Sequence, residues 1–141
     1  MKKITFVLLF SFISLFVFSQ SNKKETVSLK EKSVLVVEFM EEAVGLNKKQ
    51  KTVFMNAFAE YANVMTKATK KMEKKYADSD SKTKSVDSRK ELNTYALRAA
   101  EKRNAMINDC LTKKQIKLYG KVIQDVHPLT LKIRQKKDKK K

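Results

Sequence analysis

The chain has 141 residues, room for one domain, and contains only two glycines, one proline and no tryptophan. So few chain breakers exclude a sheet protein with many tight turns and favour long helices. A single cysteine excludes an intramolecular disulfide, and a formal net charge of +17 points to acidic partners such as lipid headgroups, polyanions or acidic proteins.

Residues 1–19 read as a signal peptide. Lys2 and Lys3 precede an apolar run from Ile4 to Phe18, and Val17 and Ser19 place small residues ahead of a cut before Gln20. The run is short for a membrane span, and no cysteine follows it as a point of lipid attachment. Cleavage lowers the net charge to +15, because two lysines leave and no acid does. It delivers the product to the periplasm or the exterior. Residues 20–27 then form a flexible start, 28–128 a helical domain, and 129–141 a basic tail.

The first helix starts at Ser28, which stands three residues before Glu31 in capping-box spacing. Leu29, Val36, Phe39, Met40 and Ala43 share its inner face. Gly45 ends it, because glycine enters the left-handed conformation cheaply. A second helix begins at once, with Asn47 and Gln50 as reciprocal caps. In it Phe54, Phe58, Tyr61, Met65, Ala68, Met72 and Tyr76 recur every three or four residues, within an arc of about 80°. The pattern runs to about Ala77. "DSDSKTKS", from Asp78, reads as a solvated turn of small polar residues.

Ser88 and Glu91 would cap a third helix with Leu92, Ala96, Ala99, Met106 and Cys110 on its inner face, and with Arg103 in the middle of that apolar stripe. Thr112 and Gln115 then repeat the earlier capping pair, and Leu111 and Ile116 add a hydrophobic staple that the first copy lacks, since Lys51 takes the equivalent place. The fourth helix uses Ile116, Tyr119, Val122, Ile123 and Val126 and stops before Pro128. The expected fold is all-α, an elongated four-helix hairpin with two long antiparallel helices and a short helix at each end.

The doubled motif, Leu111-Thr112-x-x-Gln115 and Leu46-Asn47-x-x-Gln50, resembles the Leu-Thr-x-x-Gln signature of the Spy/CpxP family of periplasmic proteins. Asn47 departs from the family's threonine, a mild change because asparagine caps at least as well. The similarity extends to Tyr119 and to the basic helix containing Arg103, and covers roughly residues 28–126. It implies a curved four-helix hairpin that often forms a cradle-shaped antiparallel dimer. Family members act as ATP-independent chaperones, as modulators of envelope-stress signalling or as metal-responsive proteins.

A guanidinium on an apolar face needs partners, and Arg103 has Glu38, Glu41 and Glu42 of the first helix, or carbonyls at a helix end, as candidates. The alternative places it in a client-binding groove. Lys67, Lys70, Lys71 and Lys74, with Arg98 and Lys102 across the turn, can form one basic surface. Val53 and Val64 flank the main stripe as apolar companions. Cations beside apolar surface suit non-native or acidic envelope proteins as partners. An envelope-stress regulator that binds a sensor domain is the alternative, as is a binder of polyanions or membrane surfaces. Nucleic acid is not expected after export.

His127 and Cys110 are single residues of their kind with no second strong ligand nearby in the sequence, so neither a metal nor another cofactor is expected. Cys110 reads as a small residue packed at a helix end. With no phosphate-binding glycine loop, no nucleophile in a catalytic context and no positioned base, the chain does not read as an enzyme.

Overall fold

The computed structural model describes residues 27–134, with the side chains of 81–84 left out of the description. The signal peptide and most of the flexible start lie outside the described residues, as does the lysine-rich end of the tail. The architecture is all-helical: α1 is Leu29–Val44, α2 Lys48–Lys75, α3 Ser81–Asn108 and α4 Lys113–Val122, with a 3-10 turn at Ile123–Asp125. The long helices α2 and α3 pack along one another as a hairpin, and α1 packs against both α2 and α4. The two short helices therefore meet at the open end of the hairpin.

Both short junctions form where the sequence places them. Gly45 adopts φ 72°, ψ 57°, and its N–H and that of Leu46 both donate to the Glu41 carbonyl, closing α1. An added Cβ at Gly45 would meet no atom within 4 Å, so its backbone angle alone favours glycine there. Ser28, Asn47 and Thr112 each complete a capping box with Glu31, Gln50 and Gln115. The hydrogen bonds from Ser28 hold the Glu31 carboxyl below its ordinary range.

The α2 stripe is the spine of the core. Phe54, Phe58, Tyr61, Met65, Ala68 and Met72 are all buried, joined by Ala57 and Ala62. Removing a side chain the size of Phe54 or Phe58 from water contributes about 1.5–3 kcal/mol each. Phe54 stacks near Phe58 at 6.3 Å between centroids and meets the edge of Tyr119 at 5.6 Å, tying α2 to α4.

Several boundaries and faces differ from expectation. α3 begins at Ser81 rather than at Ser88, so most of "DSDSKTKS" is helix and the turn shrinks to residues 76–80. That stretch holds no glycine or proline, and serine and threonine cost a helix only a few tenths of a kcal/mol each, about 0.7 at most. Asp80, not Ser88, precedes the helix, and it makes no side-chain cap. On α1 the buried line is Ser33, Val36, Val37, Met40 and Val44, whereas Leu29, Phe39 and Ala43 are half-buried. The face is rotated because α1 must serve both α2 and α4. On α3 the fully buried Ile107 belongs to the core although the stripe omitted it.

α4 is shorter than expected. It ends at Val122, tightens through the 3-10 turn, and releases Val126 into extended backbone at φ −100°, ψ 123°. Ile116 remains 36% exposed, so it is not an inner-face residue of α4. The segment after Pro128 is a further correction, because the packed unit does not end at 128. Val126 pairs with Ile133, and the Arg134 N–H donates to the Asp125 carbonyl at 2.7 Å, folding residues 125–134 back on themselves. Leu131 enters the core at 3% exposure and holds φ 52°, a left-handed angle that costs a leucine about 1–2 kcal/mol. The alternation of Leu129, Leu131 and Ile133 thus marks a docked strap rather than tail.

Candidate functional site

Two constellations carry the polar chemistry of this chain, and the first joins the repeated motifs. Gln50 Oε1 accepts from the Asn47 N–H at 3.0 Å while its Nε2 donates to the Cys110 carbonyl at 2.9 Å and to Gln115 Oε1 at 2.9 Å. Gln115 mirrors this. Its Oε1 accepts from the Thr112 N–H at 3.1 Å, and its Nε2 donates to the Gly45 carbonyl at 2.9 Å and to Gln50 Oε1 at 3.1 Å. Each glutamine therefore starts its own helix and binds a carbonyl just past the end of the helix leading into the other motif.

The residue at the staple position differs in role between the copies. Lys51 Nζ reaches Glu41 at 2.6 Å, fastening the end of α1 to the start of α2, and this carboxylate raises the Lys51 pKa above its ordinary value. Leu46 is buried, and Leu111 packs half-buried against the core. Cys110 also packs half-buried, its Sγ 3.1 Å from the Ile107 carbonyl, and burial raises its thiol pKa. These residues hold the architecture at the open end of the hairpin.

The second constellation surrounds Arg103, which is 6% exposed. Its guanidinium lies 4.9 Å from the Phe58 ring centroid and 4.8 Å from that of Tyr61. Nε and Nη2 donate to Asn104 Oδ1 at 3.1 and 3.0 Å, and the Tyr119 hydroxyl donates to the same oxygen at 2.7 Å. None of Glu38, Glu41 or Glu42 reaches it; the ion pairs among the described side chains are Lys51–Glu41, Lys75–Glu91 and Lys102–Glu60. Those acids lie on α1, whereas Arg103 faces the aromatic spine of α2. Aromatic faces and one amide replace the expected carboxylate. Burial raises the pKa of Tyr61 and Tyr119, and the Arg103 charge opposes that rise in both.

Arg103 lines two openings. A pocket of about 20 Å³, bounded also by Ala57, Val64, Ala99, Met106 and the Lys102–Glu60 pair, has room for about one water. A cleft of about 350 Å³ lies on the other side, between α2, α3 and the strap. The Tyr61 hydroxyl donates to the Pro128 carbonyl at 2.7 Å and holds the strap in place beside it. His127 supports the strap's turn, its Nδ1 accepting from the Thr130 N–H at 3.3 Å.

The structure brings Val64, Lys102 and Arg103 together and leaves Val53 away from both openings. Lys67, Lys70, Lys71 and Lys74 are exposed on α2, within an arc of about 100°. Lys71 Nζ donates to the Tyr95 hydroxyl at 3.0 Å; near the hairpin turn Lys75 pairs with Glu91, which also accepts from the Tyr76 hydroxyl at 2.6 Å. The hydrogen bond from Lys75, then that from Tyr76, lowers the Glu91 pKa. Arg98 is exposed on α3.

Sequence reasoning missed a neighbouring face on α3. Val86 is 56% and Leu97 68% exposed, and with Lys90 and Asn93 they fall within an arc of about 60°. Their eleven-residue separation, about three turns, was the available signal.

Among the described residues no helix is long and apolar enough to cross a membrane, and no three His, Cys, Asp or Glu side chains converge as a metal site. Set against the known protein families, the curated proteins and the solved structures, the chain matches none of them.

Proposed function

We propose that this chain is an exported, ATP-independent chaperone-like protein that binds non-native envelope proteins through a basic and apolar helical surface. The observation that carries the reading is the outer face of α3, where Val86 and Leu97 stand exposed beside Arg89 and Lys90. The lysine stripe of α2 extends the cationic character to the second long helix. Long-range attraction speeds encounter, and the apolar side chains then retain the client. The doubled Leu-Asn/Thr-x-x-Gln motif and its resemblance to the Spy/CpxP family support the same reading. The role is one of binding rather than catalysis.

The test is aggregation of a reduced, unfolding test protein in the presence of stoichiometric amounts of the mature chain. Suppression that slows with added salt and weakens in Leu97→Ser supports the proposal; no suppression overturns it. A pull-down from envelope extract that yields one stoichiometric partner instead of many clients would mark a regulator.

A further inference from the structure

Arg103 carries a charge that its surroundings do not neutralise. Its Nε and Nη2 donate to Asn104 and the Tyr119 hydroxyl is a further hydrogen-bond partner, but both of these groups are uncharged. Of the two openings Arg103 lines, only the cleft is larger than a water. Arg134, from the strap, lines the same cleft. The other walls are largely apolar: Ala100, Ile123, Val126 and Pro128, with Gln124 and Tyr61 as polar neighbours.

A planar guanidinium fork selects a planar oxyanion that accepts two parallel hydrogen bonds. Desolvated by the Phe58 and Tyr61 rings, Arg103 gains more from an anion than an exposed arginine would. The apolar walls add a second requirement. They favour a ligand with a short hydrocarbon body over a fully hydrated inorganic ion, and about 350 Å³ falls at the small end of the range for ligand pockets, about 300–1,000 Å³.

We propose that the cleft between α2, α3 and the strap is a binding site for a small amphiphilic carboxylate, its head group on Arg103 and Arg134 and its apolar body against Ala100, Ile123 and Val126. The site is independent of the surface proposed above for client proteins, which lies on the outer face of α3.

Octanoate is a suitable probe, with octanol as the neutral analogue and inorganic phosphate as the bare anion. Binding to the full-length mature chain is followed by calorimetry and by backbone NMR shifts. Saturable octanoate binding with shifts centred on Ala100, Ile123 and Val126 is expected. Octanol and phosphate should each bind about tenfold more weakly or worse, since each lacks one of the two contacts. Arg134→Gln, at an exposed position, should weaken octanoate by about tenfold, and Arg103→Met should abolish measurable binding. If Arg103→Met does not fold, Arg134→Gln and the shift map decide. The proposal is overturned by absent or unsaturable binding, by shifts elsewhere, by octanol or phosphate equalling octanoate, or by an unchanged affinity in Arg134→Gln.

Discussion

The carboxamides of Gln50 and Gln115 exchange hydrogen bonds in both directions, at 2.9 and 3.1 Å, across 65 residues of sequence. Each amide uses both protons and both lone pairs within the protein, so the two helix starts are not independent caps but one joint. The joint fastens the two ends of the α2–α3 hairpin and sets α1 against α4.

Breaking this joint should cost more than losing a cap. Gln50→Ala strands the Cys110 carbonyl and part of Gln115, and is expected to lower stability by about 2–3 kcal/mol. Asn47→Ala removes only the cap and should cost about 1 kcal/mol. In urea unfolding, Gln50→Ala and Gln115→Ala should be non-additive by about 1 kcal/mol. Additive effects would show that the two amides act separately.

Arg103 and Asn104 should differ in an instructive order. Arg103→Met removes the guanidinium, keeps an unbranched chain between the rings, and leaves Asn104 bonded to Tyr119, so the change should stay within about 1.5 kcal/mol. Asn104→Ala instead leaves the buried charge and the Tyr119 hydroxyl without their shared acceptor, and should cost about 2–3 kcal/mol. Equal losses in thermal and urea unfolding would contradict the arrangement.

Alkaline titration tests the burial of the two core phenols. Burial raises the folded-state pKa of Tyr61 and Tyr119 above their ordinary value near 10, so above that value the unfolded chain binds fewer protons. Their contribution to stability is complete below about pH 10 and is lost as pH rises toward the folded values. Absorbance of phenolate should show late-ionising tyrosines, and both Tyr61→Phe and Tyr119→Phe should remove part of that late step. Ionisation of every tyrosine together near pH 10 in the folded protein would refute it.

The strap offers a test of strain against burial. Leu131→Ala loses the buried side chain yet keeps a left-handed backbone, and should cost about 2–3 kcal/mol. Leu131→Gly loses the same contacts but relieves the angle, so it should be no more destabilising than alanine, the reverse of the usual order. Urea midpoints of the two variants decide.

The sequence by itself determined the helical class, the aromatic spine from Phe54 to Met72, the Gly45 stop and both glutamine caps. These depend on spacing and on backbone chemistry within a few residues. Only the tertiary structure decided that Gln50 and Gln115 bond to one another, that Arg103 rests on Phe58 and Tyr61 instead of a glutamate, and that Leu131 enters the core. The α3 start also escaped a local reading, because weakly helix-forming serines do not stop a helix that packing extends. Pairings across 65 residues leave no periodic trace in one chain; they follow from where packing carries the ends of helices whose beginnings are set locally.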